Sequence, residues 1–561
     1  MEYLDARRLT GPNLLSSDAG SILDIRCSSD EADRLLPFCT KALRKMLDAV
    51  NWRDSEIHSK RLQGGVSIAY SERIAALYAA SEISEWAWRA CAAEFCDGDP
   101  VDFDADARAL RQEIEEELNP PLLALEAAAH EHGVAMLWDD DEVSLGHGAG
   151  SETWPFRDLP DPAALYWSKY RDVPVGIVTG TNGKTTTARI AKHLLQSAGR
   201  NVGVSCTDWV AVNDRVVDRD DWSGPGGARM VLRQPDVDSA ILETARGGLL
   251  RRGLGVQRAD AALITNIAED HLGDFGSQSL DELLNIKWVV SHAVRHSGRL
   301  VLNADDERLV AKAADYDGEI AWFSLEQTNE TVVRHVDRGG VAFVLADGEL
   351  VRLSGSDRVS ICVASEMPIS LGGAARHNVA NALGAAALTE RLGLAMHEIG
   401  SGLVSMSQDA NPGRSNLYRV DGFSVLVDFA HNPEAMQALF AMAKALPARR
   451  RALCFAQAGD RTDSQIRDLA ENAWSMGPDL YVVSELDKYR RGREEGEVYG
   501  IIRNELLSCG ADPEQIRHYA SERESFAAAL DWAEAGDLVV ILDLGRESGI
   551  QETLRARSGT G

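Results

Sequence analysis

The stretch from Val175 to Thr187, Val-Gly-Ile-Val-Thr-Gly-Thr-Asn-Gly-Lys-Thr-Thr-Thr, decides how this chain is read. An apolar, strand-like run from Val173 to Val178 ends at Gly180. Thr181, Asn182, Gly183 and Lys184 follow, and a helix-forming stretch from Thr185 to Ala198 closes on Gly199. In a strand–glycine–helix turn, backbone N–H groups and the positive end of the new helix converge on phosphate oxygens. Glycines at 180 and 183 let the backbone approach them closely. Lys184 stands where a lysine reaches the outer phosphates, and the Thr185 hydroxyl, beside Thr186, stands where one ligates Mg²⁺. The run departs from the general phosphate-loop pattern at Val178, which occupies the place of the first glycine. It predicts a nucleotide site.

The rest of the 561-residue chain is ordinary for globular protein, 45% hydrophobic and 26% charged, with length for three or four domains. A formal net charge of −29 argues against nucleic acid or an anionic membrane as partner, because either demands a basic surface. Cationic or zwitterionic substrates suit it, as does the plainer reading of a solubilising acidic surface. The eight cysteines are scattered without a close metal-ligand pair, so we expect reduced thiols in a cytoplasmic protein. Met1 to Arg8 is charged and carries no apolar core of a signal peptide, and no run reaches the roughly 18 apolar residues of a membrane span.

Further motifs follow the phosphate loop in order. They are Leu242-Glu243-Thr244-Ala245-Arg246-Gly247-Gly248-Leu249-Leu250-Arg251, Thr265-Asn266-Ile267 with Glu269-Asp270-His271-Leu272-Gly273, and Leu302-Asn303-Ala304-Asp305-Asp306. Arg376-His377-Asn378 with Asn381-Ala382, Asn411-Pro412-Gly413-Arg414 and Val427-Asp428-Phe429-Ala430-His431-Asn432-Pro433 come next. Gly459-Asp460-Arg461 and Arg491-Gly492-Arg493 with Gly496-Glu497 complete the series. Together with Gly180 to Thr187 they resemble the Mur ligase superfamily, which includes the folate-polyglutamate and cyanophycin synthetases. The Glu-Thr-Ala-Arg-Gly-Gly signature is most similar to the cyanophycin-synthetase branch and argues against folate- or peptidoglycan-type ligases. The likeness covers about residues 172 to 545, roughly two thirds of the chain. Arg8-Leu9-Thr10-Gly11-Pro12-Asn13-Leu14 also resembles the start of cyanophycin synthetases. Leu145-Gly146-His147-Gly148 resembles the entry to their ATP-grasp domain, but Asp158 to Asp172 leads straight into the phosphate loop with no room for that module.

We therefore expect an α/β protein in three parts. A helix-rich N-terminal domain spans 1–157. A connector, 158–172, leads to a central P-loop parallel-sheet Mur ligase domain over 173–410, and a C-terminal Rossmann-like α/β domain spans 411–561. Between 173 and about 407, short β runs such as Val237–Leu242, Ala261–Thr265, Arg299–Asn303 and Glu319–Phe323 alternate with helical stretches, which predicts a parallel sheet covered on both faces. Asp347-Gly348 predicts a hairpin turn. Strands are expected again at Phe423–Phe429, Arg451–Phe455, Asp479–Ser484 and Leu538–Leu542. In the N-terminal part, Asp104 to His132 reads as two helices broken at Pro120-Pro121. Tyr78, Trp86 and Trp88 either line a docking site for a polymer or partner or simply pack as core.

The resemblance implies roles residue by residue. Gly180, Thr181, Asn182, Gly183, Lys184, Thr185 and Thr186 hold the ATP phosphates. Thr185 and Glu243 hold Mg²⁺, and His271, oriented by Asp270, ligates a second ion. Imidazole is an unusual ligand for so hard a cation. Lys287 falls where several relatives carry a carbamylated lysine that completes a metal bridge, and Lys184, Glu243, His271 and Lys287 form the implied catalytic set. Asn378 contacts adenine, Arg414 the phosphates and Asp428 the ribose. His431, Asp460, Arg461, Arg491 and Arg493 face the incoming amine, although surface arginines are the plain alternative. Arg246 pairs with the acid substrate or caps an exposed glycine turn.

The implied activity is ATP-dependent amide formation between a carboxylate and an amine, such as an amino acid, through an acyl phosphate, with ATP and Mg²⁺ as cofactors. Cyanophycin synthetases use this part to add arginine to an aspartate side chain. Without the ATP-grasp module the protein is expected to add a residue to a small acid, or to act beside a partner enzyme that supplies the acid, as a homo-oligomer. The alternative is a non-catalytic nucleotide-binding scaffold for a separate ATP-grasp enzyme. Retention of Lys184, Thr185, Glu243 and His271 together speaks against it.

Overall fold

The computed structural model describes residues 1–62, 64–96, 98–269, 279–545 and 549–558. His271 and Asp270 lie outside the described residues.

The N-terminal part carries the expected helices, Ser29–Ala49, Leu77–Phe95, Phe103–Glu117 and Pro120–Glu131. Pro120 opens the last of these, where its missing N–H costs nothing, so the break falls where the sequence placed it. This helix-rich region also holds a four-stranded antiparallel sheet in the order Glu2–Leu9, Gly20–Arg26, Gly65–Ser71, Ile57–Leu62, which the sequence did not foretell. One expectation needs correction. Cys39 and Cys91 are joined as a disulfide, because the helices Ser29–Ala49 and Leu77–Phe95 pack together and bring two buried sulfurs face to face. Cys27, Cys96, Cys206, Cys362, Cys454 and Cys509 are free. Trp86 is buried in the core of this part, its indole N–H donated to Asp106 at 3.0 Å, whereas Tyr78 is exposed.

Among the described residues the central sheet has eleven strands. Its parallel body runs Val202–Ser205, Ser239–Glu243, Val175–Thr179, Ala259–Ile264, Val294–Asn303, Glu319–Ser324, Val341–Ala346. Antiparallel strands flank it at both edges, and the hairpin Val341–Ala346 to Glu349–Ser354 leads to the edge strand Asp357–Val363. Its turn, Asp347 and Gly348, has φ of 54° and 83°, the double left-handed geometry for which Asp-Gly is suited. Alternate residues of one strand enter separate cores. Ala262, Leu300 and Leu302 lie in one, and Ala261, Leu263 and Val301 in the other. Helices therefore cover both faces, as a parallel sheet requires.

The strand Val175–Thr179 lies between Ser239–Glu243 and Ala259–Ile264. The chain leaves it in one direction and returns on the other side, so a crevice opens at the carboxyl ends of these three strands. The C-terminal sheet repeats the principle in the order Asn416–Val420, Phe423–Asp428, Leu538–Leu542, Arg451–Phe455, Leu480–Ser484, Ile516–Tyr519. All its pairs are parallel except the first. Among the described residues, no helix is long and apolar enough to cross a membrane.

Candidate functional site

The loop between Val175–Thr179 and the helix Lys184–Ser197 is pinned from below by the residues that follow the neighbouring strand. Thr181 N donates to Asn266 O at 2.9 Å, Asn182 N to Asn266 Oδ1 at 2.8 Å, and Thr265 Oγ1 to Asn182 O at 2.6 Å. Two glycines are required by this closeness. Gly180 has φ of +142°, and a Cβ there would lie 1.8 Å from Thr265 Oγ1. Gly183, at φ +84°, would meet Asn381 Oδ1 at 2.3 Å. Lys184 Nζ folds over the loop to donate to Thr181 O at 2.9 Å. Beneath the loop, Lys287 on the helix Leu280–Trp288 is 3% exposed and donates to Gly180 O at 2.6 Å. A buried lysine Nζ on a loop carbonyl braces the turn.

Glu243 ends its strand inside the crevice, 1% exposed. Its carboxylate accepts from Thr207 Oγ1 at 2.7 Å, Thr185 Oγ1 at 3.1 Å and Thr207 N at 3.2 Å. This set of hydroxyl and carboxylate oxygens has the chemistry of a hard divalent cation site, so Thr185 and Glu243 fit Mg²⁺. Among the described residues, no cluster of three or more His, Cys, Asp or Glu adds to them.

Above the loop lies a cavity of about 630 Å³, walled by the central domain on one side and the C-terminal domain on the other. Thr181 to Thr186 and Asn378 line the first wall, while Arg414, Asp428, His431, Asp460, Arg461 and Arg491 line the second. Asn378 is held by its amide, which donates to Ile369 O at 2.9 Å, and by Asn381 Nδ2, which donates to its Oδ1 at 3.3 Å. Asp428, at the end of its strand, accepts from Ser415 N at 2.6 Å and Ser415 Oγ at 2.9 Å, and His377 Nε2 lies 3.0 Å from the same Ser415 Oγ. Burial pushes the His377 imidazole below its ordinary pKa, with the nearby Asp428 charge opposing. Arg414 stacks over Phe429 at 4.5 Å, and His431 Nδ1 lies 3.0 Å from Phe429 O. Asp460 and Arg491 form an ion pair with each other.

Two expected substrate residues are not among those that line the cavity. Arg493 is not on the cavity wall. Its guanidinium reaches Gly459 O at 2.9 Å, Arg461 O at 2.7 Å, Asp463 at 2.8 Å and Glu497 at 2.6 Å, so it shapes the Gly459–Arg461 turn instead. Arg246 opens the helix Arg246–Arg252, and only Ala245, the residue before it, lines the cavity.

The structure adds Thr207 and Glu434, both on the cavity wall. Thr207 follows the apolar strand Val202–Ser205, a position at a carboxyl strand end that could have drawn notice. Glu434 sits in the first turn of the helix Pro433–Ala445, where an acidic residue is ordinary, and carries no distinguishing local signal.

Arg7 and the N-terminal motif Arg8 to Leu14 grip the far end of the helix Arg246–Arg252 and the residues just after it. Arg7 Nε and Nη2 donate to Leu250 O at 3.1 and 2.9 Å, Thr10 N to Arg252 O at 2.8 Å, and Leu254 N to Pro12 O at 2.7 Å. A Cβ on Gly11 would lie 2.4 Å from Leu254 O.

Residues 178–389 match the family model of the Mur ligase middle domain, and residues 413–542 that of the Mur ligase glutamate ligase domain. The cyanophycin synthetase of Trichormus variabilis is 36% identical over 374 residues, 66% of this chain and 41% of that protein. The UDP-N-acetylmuramoyl-L-alanyl-D-glutamate--2,6-diaminopimelate ligase of Corynebacterium efficiens is 26% identical over 404 residues, 69% of this chain and 72% of that protein. Among solved structures, E. coli FolC in complex with DHPP and ADP overlays with a TM-score of 0.49 at 19% identity, covering 68% of this chain and 89% of that one. The chain spans about two fifths of the length of the cyanophycin synthetases it matches. With the middle and glutamate ligase domains both matched, in order, over residues 178–389 and 413–542, the chain belongs to the Mur ligase superfamily.

Proposed function

We propose that the protein is an ATP-dependent ligase that joins a carboxylate to an amine, releasing ADP and phosphate. The observation that carries this reading is a single cavity. A phosphate loop lines its floor, with Thr185 hydrogen-bonded to the buried Glu243 carboxylate, and the facing C-terminal domain supplies Arg414, Asp428, His431, Asp460, Arg461 and Arg491. A carboxylate oxygen of the acid attacks the γ-phosphorus of ATP and the bond to ADP breaks. The amine then attacks the acyl-phosphate carbonyl, phosphate leaves, and the amine sheds a proton. Such chemistry asks for clamped phosphates, neutralised charge and aligned reactants more than for covalent help.

In this reading the loop N–H groups and Lys184 hold the β- and γ-phosphates, and Lys287 keeps the loop in shape through Gly180 O. Mg²⁺, held by Thr185 and Glu243, supplies neutralisation of developing charge on the phosphoryl oxygens. Asn378 takes the adenine edge, and Asp428 the ribose. Arg414 crosses from the second domain to the phosphates. His431, Asp460, Arg461 and Arg491 receive the amine. Lys287 in carbamylated form, His271 as a further metal ligand, and Arg246 as a contact of the acid complete the proposal, as do a homo-oligomer and a separate enzyme that supplies the acid. The N-terminal residues 1–157, the connector 158–172, and the domains 173–410 and 411–561 are the proposed units.

The test is ATP-dependent phosphate release over a matrix of acids and amines, led by aspartyl acids with arginine or lysine, with product masses recorded. Release only with both partners, and a mass equal to acid plus amine less water, establishes the ligase. Silence across the matrix with ATP bound overturns it in favour of a nucleotide-binding scaffold.

A further inference from the structure

Arg189 lies on the phosphate-loop helix Lys184–Ser197, yet it is 3% exposed and does not line the cavity described above. Its guanidinium joins three separate pieces of chain. One arm forms an ion pair with Asp208. The other donates to Asn411 Oδ1 at 3.2 Å and Pro412 O at 3.1 Å, more than 200 positions away. Its plane stacks on Trp209 at 4.1 Å. Asn411 is itself fully buried, and its amide donates to Thr186 Oγ1 in the loop helix at 3.3 Å, while its carbonyl accepts from Asn416 Nδ2 at 3.1 Å.

Each partner leads to the site. Asp208 follows Thr207, the residue that holds the Glu243 carboxylate. Asn411 and Pro412 are the passage from the central to the C-terminal sheet, and Arg414, which lines the cavity, comes two residues after Pro412. A buried ion pair is poor value for stability, since apolar residues of like volume do as well or better. Arg189 Nε also finds no hydrogen-bond partner among the described residues. What a guanidinium offers here is a rigid planar fork that fixes the relative placement of three segments, which a lysine ammonium cannot reproduce.

We propose that Arg189 is a positioning residue that transmits nucleotide occupancy of the phosphate loop to the 411–412 passage, and so sets the closure of the C-terminal domain over the cavity. This rests on the nucleotide site of the proposed function and adds its conformational coupling. Phosphates settling on the loop shift the first turns of its helix. Thr186 and Arg189 carry that shift to Asn411 and Pro412, which brings Arg414 and Asp428 onto the nucleotide.

The experiment uses the full chain with Mg²⁺ and a non-hydrolysable ATP analogue, and follows the radius of gyration by small-angle scattering beside a nucleotide-binding titration. The native protein contracts on binding. Arg189→Lys does not contract and binds the analogue about 3- to 10-fold more weakly, having lost the affinity that closure adds to binding, and its kcat falls about 10- to 100-fold. Asn411→Ala, a milder change, behaves alike, and the double variant is no worse than either single one, as members of one unit should be. Contraction of Arg189→Lys like the native protein, absence of contraction in the native protein, strictly additive losses, or a native Kd in a variant that does not contract each overturn the proposal. Scattering reads the coupling without any ligation, so a chain that contracts through Arg189 yet joins no substrates refutes the ligase reading alone.

Discussion

Asn182, at the tip of the phosphate loop, spends both ends of its side-chain amide on the other domain. Its Nδ2 donates to Glu434 Oε2 at 2.7 Å, and its Oδ1 accepts from Asn432 Nδ2 at 2.8 Å. Burial pushes the Glu434 carboxyl above the usual carboxylate range; the Asn182 hydrogen bond opposes this and Asp306 adds to it. A negative group thus stands beside the place proposed for phosphates.

The consequence for nucleotide affinity has a definite sign. Phosphates beside Glu434 raise its pKa further, so binding takes up a proton and weakens as pH rises through the titration of this carboxyl. Glu434→Gln keeps an acceptor for Asn182 and loses the charge. It should bind ATP about 3- to 10-fold more tightly at alkaline pH, with a flatter profile. Nucleotide titrations across a pH series decide this, and an unchanged slope refutes it.

Lys184→Ala removes the amine that folds over Thr181 O. Turnover should fall by about 100-fold or more while the thermal midpoint stays within a few degrees, because a half-buried surface contact contributes little to stability. Steady-state phosphate release and a melting curve suffice. Ligation at the native rate would remove Lys184 from the site.

Glu243→Gln preserves an oxygen for the Thr207 and Thr185 hydroxyls and discards the negative charge. The variant should need roughly tenfold more Mg²⁺ for half-maximal activity, with little change in fold. Thr207→Val, which leaves the charge but frees the carboxylate to swing, should move the same midpoint by less. A magnesium titration of both variants tests the pair. Identical midpoints in native and Glu243→Gln protein count against this carboxylate as the metal ligand.

Much of this was legible in sequence, for local reasons. Gly180 and Gly183 announce the loop because a positive φ and the close approach of Thr265 and Asn381 side chains force glycine there, and Asp347-Gly348 announces its hairpin through the φ it must adopt. Strand ends bearing Glu243 and Asp428 stand out because a carboxylate ends an apolar run. The N-terminal sheet did not stand out, since its strands Ile57–Leu62 and Glu2–Leu9 carry many charges and bury few residues deeply. The Cys39–Cys91 pairing, the Glu434 contact and the Arg189 fork depend on segments 52 to 252 positions apart, which no local pattern encodes. Arg493 shows a limit of motif reading, because an arginine in a family motif reads the same whether it meets a substrate or, as here, the backbone carbonyls of Gly459 and Arg461.

Glu522 gives the C-terminal domain a pH signature of its own. It accepts from Leu544 N at 3.0 Å and Gly545 N at 2.9 Å, yet burial, with the Asp543 charge adding, pushes its carboxyl up to about 7. A raised folded pKa favours the protonated native state. Its contribution is fully present below the usual carboxylate range and is lost as pH rises through about 7. The native protein should therefore lose on the order of 2 kcal/mol between pH 4.5 and 8 that Glu522→Gln does not lose. Denaturant melts at several pH values measure it, and parallel curves for the two proteins would refute it.

The grip of Arg7, Thr10 and Pro12 on the helix Arg246–Arg252 bears on how the protein can be dissected. That helix has a single turn and three residues beyond it, too short to hold itself in water, and its C-terminal carbonyls are satisfied from the other end of the sequence. The first dozen residues are thus a splint for the helix that follows Ala245 on the cavity wall. Cutting them away to ask what the N-terminal region recruits would answer a different question, because this helix would lose its brace before any recruit was missed. Substitutions on the outer face of the first sheet, leaving the splint in place, are the cuts that separate the two.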